Sequence, residues 1–473
     1  MVISPLFVKN TMSDSESTKL LLLVVILIVI ISVLAAINWR ITRDSLKEKI
    51  KKHFGKEPKQ LSNSIRSCQG VDFPNLHIAI KEWVEEKGGS FELVGHGGYG
   101  LKYLNQELPM PGAKISSLQH ECIDTNVDTS IQCPRNGIYL IKANGKKYVA
   151  EASFLYEGSN VVELIVYSED SESSSKFIEE VRELVSKHSI YKGKIISVTG
   201  QESLGDVPGW TKIQFHKFAD ITKEQIILPE KTMALIDRNI ASFYKHSARL
   251  KKVGKSLKRG ILFHGKPGTG KTFTAKFLSQ YLEGVTVFLL SGEQLWLIKE
   301  SFQMARLLAP SLVIMEDVDL IAHTRDETLG QTILHQLLNE LDGLNKDTEI
   351  LFLLTTNRPE VIEPALSLRP GRIDQAIEFP LPDQEDRRRL IEQYSEGMDL
   401  SVGDFDKVVK RSEGASPAFI QELMRKSALI AAESDPNGNG NLKITEEHIH
   451  QALDELLLNG PLTKKIVGFH QID

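Results

Sequence analysis

Cysteine is scarce in this chain. Only Cys68, Cys122 and Cys133 occur among 473 residues, and none stand in a CxxC spacing. An odd, scattered set excludes a disulfide framework and a cysteine zinc site, and predicts reduced thiols. A dominant charge is missing too: 57 basic residues face 62 acidic ones, for a net charge of −5. With no basic patch interleaved with aromatics, nothing points to a nucleic-acid partner. No HExxH pattern occurs, which excludes that helix-borne zinc site. Long apolar runs are absent but for one, Leu20 to Ile37, whose only polar member is Ser32.

That run of 18 residues spans about 27 Å as a helix, close to the hydrocarbon thickness of a bilayer. It is a membrane span or a signal peptide. The absence of a small-residue cleavage site, and Asn38-Trp39-Arg40 as an interfacial anchor, favour the span. Seven basic residues between positions 40 and 56 (Arg40, Arg43, Lys47, Lys49, Lys51, Lys52, Lys56) face only Asp44 and Glu48. Before the run, Lys9 and Lys19 are matched by Asp14 and Glu16. The positive-inside rule then places everything after Arg40 on the cytoplasmic side of a single-pass membrane protein.

The strongest motif lies further on. Arg259 to His264 reads as a short buried strand, and it runs into Gly265-Lys266-Pro267-Gly268-Thr269-Gly270-Lys271-Thr272, followed by helical spacing from Phe273. This is GxxxxGK[ST] between a strand and a helix. Its glycines let backbone N–H groups point at phosphate oxygens, and the helix N-terminus adds partial positive charge. Lys271 is expected to reach the β and γ phosphates of ATP, and the Thr272 hydroxyl to ligate Mg²⁺.

Around these two landmarks the chain divides into a tail (1–19), the span (20–37), a basic juxtamembrane segment (38–57), an α+β domain (58–221), a nucleotide-binding domain (222–383), a helical lid (384–458) and a second tail (459–473). In the α+β domain, Ile138–Ala143 and Lys146–Ala152 flank Asn144-Gly145, a strong hairpin signal. Val161–Tyr167 is a further strand, and Phe177, Ile178, Val181, Leu184 and Val185 mark a helix face. Gly95 to Gly100 (GHGGYG) reads as a plain glycine turn, because no helix follows it. Met233, Ile236, Ile240 and Phe243 lie on one face of a connector helix starting at Pro229. Apolar runs at Val285–Leu290, Ser311–Met315, Ile350–Thr355 and Ala376–Phe379 alternate with helical stretches, the pattern of a doubly wound parallel sheet in an α/β fold.

The strand Leu312 to Met315 ends in Glu316-Asp317-Val318-Asp319, where a phosphate-transfer site needs acidic groups for metal and water. Thr355-Thr356-Asn357 is a polar strand end able to orient water. Arg369 and Arg372, three apart, can supply charge to a leaving phosphate. From roughly Thr222 to Leu458 the chain resembles the AAA family of ATPases. Thr355 to Pro359, Pro364-Ala365-Leu366 and Arg369-Pro370-Gly371-Arg372 are similar to that family's second region of homology. The resemblance implies that Asn357 is a sensor and that Arg369 and Arg372 are arginine fingers acting on a neighbour's ATP in a homo-oligomeric ring, usually a hexamer. It also implies that Gly414-Ala415-Ser416 is a lid motif packed on the nucleotide.

The family's usual Asp-Glu order is inverted here as Glu316-Asp317, and the segment from Ser291 to Glu316 is short and lacks the aromatic pore loop; Trp296 in it reads as a packing residue. Both features, with the single N-terminal span, resemble the membrane-anchored mitochondrial AAA translocases that move the folded Rieske protein. Membrane-bound AAA proteases are a poorer fit without HExxH.

Asp435 to Glu446 formally fits an EF-hand loop, with Asp435, Asn437, Asn439 and Glu446 as ligands, but only Asp435 and Glu446 are charged acids and Lys443 stands at the ninth ligand position, which favours an exposed helix–helix connection. The site expected is therefore Gly265 to Phe273 with Gly414 and Ala415 around the nucleotide, Thr272 and Glu316 on Mg²⁺, and Asp317, Glu316, Asn357, Arg369 and Arg372 in hydrolysis. The function expected is a membrane-anchored ATPase that remodels or moves a protein partner in a chaperone-like way. The alternative is a nucleotide-gated ring scaffold with little hydrolysis.

Overall fold

The computed structural model describes residues 46–97, 100–104, 114–156, 159–201, 210–291, 297–322, 336–343, 347–360, 372–434 and 442–458, together with Ile26, Leu27 and Ile30. Those three are helical and exposed. The rest of the apolar run Leu20 to Ile37 lies outside the described residues, and among the described ones no helix is long and apolar enough to cross a membrane. The described chain divides into two compact units, the first running to His188 and the second from Ser189, with short exchanges at 124–129 and 202–210.

The first unit is built on a six-stranded sheet. Helix α1 (46–54) precedes β1 (Ser62–Gln69), α2 (Phe73–Glu86), β2 (Ser90–Gly97) and β3 (Lys114–Ser116). A separate ribbon, β4 (His120–Asn126) with β5 (Thr129–Pro134), leads to β6 (Gly137–Ala143), β7 (Lys146–Phe154), β8 (Val161–Ser168) and α3 (Ser171–His188). The strand order is β1-β8-β7-β6-β2-β3. The expected hairpin forms: Asn144 and Gly145 both take positive φ, 51° and 69°, the two-residue turn whose twist matches the flanking strands.

Alternation along the strands sorts the two faces. Tyr139, Ile141, Tyr148, Ala150, Leu164 and Val166 pack under α2 and α3 with Trp83 and Phe177. Ile138, Leu140, Val149, Ile165 and Tyr167 pack under α1 with Leu46, Ile50 and Phe54. Covering both faces is why these strands read as nearly continuous apolar runs. Of the stretch Gly95 to Gly100, where the sequence predicts a plain turn, Gly95 to Gly97 are strand, Gly98 and Tyr99 lie outside the described residues, and a short 3-10 helix opens at Gly100. β2 ends at Gly97, and Gly100 (φ 57°) sits where a Cβ would lie 2.3 Å from the Glu151 carboxylate.

The second unit holds a seven-stranded sheet in the order β10-β9-β12-β13-β14-β11-β15. These are β9 (Ile195–Gln201), β10 (Trp210–Phe215), β11 (Lys258–His264), β12 (Thr286–Leu290), β13 (Ser311–Met315), β14 (Ile350–Thr356) and β15 (Gln375–Glu378). The last five are parallel along the central ladder, and β9 pairs parallel with β12. This sheet takes in two strands from before position 222, where the sequence reading began the nucleotide domain. Their polar, mixed sequences carry no strand signal of their own; β9 is placed by pairing with the buried β12, and β10 by lying against β9 at the sheet edge.

The helices are α4 (Glu230–Ile236), which continues through a π turn (Asp237–Ala241) into α5 (Ser242–Lys252), then α6 (Lys271–Tyr281), α7 (Ile298–Leu307), α8 (Asp319–Ala322) and α9 (336–342). Ile236, Ile240, Phe243, Phe277 and Leu278 cover one face of the sheet, over Ile261, Val287, Ile314 and Leu353. Gly260 explains how tightly β11 and β15 close: a Cβ there would stand 1.9 Å from the Arg372 carbonyl and 2.3 Å from the Phe352 ring. After β15 come α10 (Gln384–Tyr394), α11 (Phe405–Arg411), α12 (Pro417–Ser434) and α13 (Glu446–Leu458), with a small parallel pair, β16 (Asp399–Ser401) and β17 (Lys443–Thr445). They share a core of Leu390, Ile391, Val409, Phe419, Leu423 and Leu453.

Candidate active site

β11 delivers the chain to the glycine loop, and the loop's backbone demands its glycines. Gly265, Gly268 and Gly270 have φ of 145°, 77° and 95°. A Cβ on Gly265 would meet the Phe379 carbonyl at 2.4 Å, and one on Gly268 would meet Ser416 Oγ at 2.9 Å. Gly270 then caps α6, whose N-terminus opens on a cavity of about 650 Å³. Pro267 to Thr274 form one wall, Asp317 and Asn357 the floor, and Leu390, Tyr394, Pro417, Ala418 and Gln421 of the lid the far side. Gln225 to Leu228, just before α4, close a third side. A space of this size, with one end rich in N–H donors and the other in apolar side chains, suits a nucleotide.

Lys271 is 5% exposed. Its Nζ donates to the carbonyls of Gly265 (2.8 Å) and Lys266 (2.9 Å), which hold the loop closed. Burial pushes its pKa down to about 8, against the opposing pull of Asp317 and Asp319. A buried ammonium surrounded by carbonyls is one that gains from a phosphate.

The acidic strand end is shaped by three side chains. Asp317 takes φ of 49°, the left-handed region that costs a non-glycine residue about 1–3 kcal/mol. Its amide is held by Thr355 Oγ1 at 3.0 Å, and its Oδ1 accepts from Asn357 Nδ2 at 3.0 Å. Asp319, absent from the expected site, anchors the same corner: its Oδ1 accepts from Thr356 Oγ1 (2.9 Å) and from the Asn357 amide (3.2 Å). Glu316 lies outside the lining of this cavity, close enough to the Thr272 hydroxyl and to Lys276 for both to act on its carboxylate. Burial raises the pKa of Glu316, with Thr272 and Lys276 working against it. Burial also raises that of Asp317, reinforced by Asp319 and opposed by Lys271 and Asn357. Hard oxygen donors facing a phosphate site suit Mg²⁺. Among the described residues no three of His, Cys, Asp and Glu stand together as a ready metal cage.

Five expected site residues sit differently. Arg372 is 6% exposed and forms a bidentate pair with Asp342 of α9, Nε to Oδ1 at 3.1 Å and Nη2 to Oδ2 at 2.8 Å. It is engaged within its own chain, because the β11–β15 closure at Gly260 fixes its backbone. Ala415 is fully buried in the lid core, and neither it nor Gly414 lines the cavity. The lid residues that do are Pro417, Ala418 and Gln421, drawn in by the Ala418 amide donating to the Gly268 carbonyl at 3.2 Å. Gly265 and Lys266 face Lys271 and not the cavity. Arg369 and Trp296 lie outside the described residues. So do Asp435, Asn437 and Asn439; Glu446, the last of that set, is already engaged by Lys407 (3.3 Å) and His450 (3.1 Å).

Residues 261–381 match the family model described as the ATPase family associated with various cellular activities (AAA). Among similar proteins, the proteasome-activating nucleotidase of Methanopyrus kandleri is 30% identical over 56% of this chain and 66% of its own length. The ATP-dependent zinc metalloprotease FtsH 3 of Synechocystis is 30% identical over 54% of this chain and 42% of its own. The 26S proteasome regulatory subunit 8 homolog of Schizosaccharomyces pombe is 31% identical over 52% and 63%. The chain thus spans less than the full length of each relative, in the last two cases well short of it. The glycine loop, the acidic strand end and the matched segment coincide, and the second unit carries an ATPase domain of the AAA family.

Proposed function

We propose that this protein is a membrane-anchored ATPase that hydrolyses ATP in a homo-oligomeric ring and uses the energy to remodel or move a protein partner. One observation carries the hydrolytic part: Asp317 and Asn357 are hydrogen-bonded to each other on the floor of the cavity whose wall is the glycine loop. In this reading Lys271 releases its loop carbonyls to hold the β and γ phosphates. Thr272 and Glu316 hold Mg²⁺, which when bound neutralises charge on the phosphates. Asp317, held by Asn357, orients the attacking water. The inverted acidic pair is accommodated by the positive φ of Asp317, which swings the shorter carboxylate toward Asn357 and leaves the longer one beside Thr272.

The ring and the partner rest on the family and on the kind of protein named among the relatives, two of them proteasome-associated and one a protease. The anchor rests on the apolar run and its basic flank alone. The first unit, which shares no part of the family match, is the natural selector of the partner, and the resemblance to the Rieske-protein translocases belongs to this proposal. Phosphate release in steady state is the test. Activity lost in Lys271→Ala and in Asp317→Asn supports the proposal. Wild-type protein that assembles with ATP yet shows no turnover leaves the scaffold reading instead.

A further inference from the structure

The sheet of the first unit carries charge where its register makes charge costly. Lys142 and Lys147 are partners across the β6–β7 pair, so their side chains stand side by side on one face. Two residues along, Leu140 and Val149 pack on that same face under α1. Helix α1 adds Lys49, Lys52 and His53, and these five groups line one cavity of about 530 Å³. Glu92 is the only carboxylate in its wall, and it is paired with Lys49. Lys52, Lys142 and Lys147 have no carboxylate partner among the described residues. His53 registers the field they make. Its Nε2 donates to the Ile141 carbonyl at 3.1 Å, and burial, then Lys147 and Lys142, hold its pKa below the ordinary imidazole value.

A directly opposed lysine pair with a third lysine above it is unfavourable in isolation and becomes favourable around an anion. We propose that this cleft binds a phosphate-bearing ligand, held by Lys52, Lys142 and Lys147. Lys49 follows the end of the apolar run by 12 residues, a reach of about 18 Å as helix and about 40 Å extended. The phosphate of an anionic phospholipid headgroup is therefore one source and a soluble phosphate compound the other.

The test uses the full chain in phosphatidylcholine nanodiscs, with the nucleotide cavity saturated by a non-hydrolysable ATP analogue and pyrophosphate titrated by calorimetry. The expected result is a second, saturable site that weakens about tenfold or more in the double variant Lys142→Gln, Lys147→Gln. An unchanged melting profile and far-UV spectrum show that the variant's first unit is folded, and unchanged affinity for the ATP analogue shows that its second unit is. In discs that also contain phosphatidylserine, loss of pyrophosphate binding assigns the cleft to a headgroup, and unchanged binding assigns it to a soluble phosphate. A second site that persists in the double variant, or none in the neutral discs, overturns the proposal.

Discussion

Lys271 and Asp317 are each held in a state that the isolated side chain would avoid. Lys271 is buried against carbonyls with its pKa near 8. Below that pH it is already charged, so binding a phosphate takes up no proton there. Above it, binding must first protonate the amine. Affinity for ATP is therefore expected to be flat below about pH 8 and to fall by up to about tenfold per unit above it, as read by nucleotide titration at several pH values. Asp317 combines backbone strain with a raised pKa, so its ionised carboxylate works against folding, a cost relieved as pH falls through the raised value. Asp317→Gly removes both costs. It is expected to melt no lower than the wild type, with a gain of about 1 kcal/mol, while turnover is lost and nucleotide binding remains. A variant that keeps its phosphate release would remove Asp317 from the hydrolytic role.

Arg372 separates two roles by measurement. Its bidentate pair with Asp342 predicts that Arg372→Ala and Asp342→Ala each lose about 1–2 kcal/mol in thermal unfolding and that the double variant loses little more than either. If Arg372 acts on a neighbour's ATP instead, only its own substitution abolishes turnover, and Asp342→Ala leaves the rate intact.

At the scale of elements, the central strands and the glycine loop depend on close approach. Gly260→Ala would drive a Cβ into the Arg372 carbonyl, which is backbone and cannot rotate away. A loss above about 3 kcal/mol is expected, seen as a collapse of soluble yield or melting temperature. The elements that were legible beforehand share a property: β12, β13 and β14 are buried on both faces and so are apolar throughout, and the Asn144-Gly145 hairpin has a turn that few other sequences adopt. β9 and β10 were not legible, since Ser197, Thr199 and Lys212 interrupt their apolar pattern. Nor was the lid's contact with the glycine loop, because a backbone bond from Ala418 to Gly268 leaves no side-chain signature.

For the whole molecule, the cavity is bounded by one chain on three sides, and the proposed ring would supply the remaining charge from a neighbour. Specific activity should then fall on dilution below the assembly concentration and recover on mixing. A rate per subunit that is independent of concentration would count against the ring. The sequence by itself determined the chemistry of the phosphate end, since a glycine loop needs a fixed spacing and its lysine and threonine follow in the chain. It also determined the alternation of strands and helices, because burial on one or two faces dictates apolar period. Only the tertiary structure decided which carboxylate meets Thr272 and which meets Asn357, that Arg372 pairs with Asp342, and that lysines from a helix and two strands share one cleft. Those pairings join residues from 30 to nearly 100 positions apart. Local spacing carries no information about contacts of that range, which arise when the sheets close and the register is set.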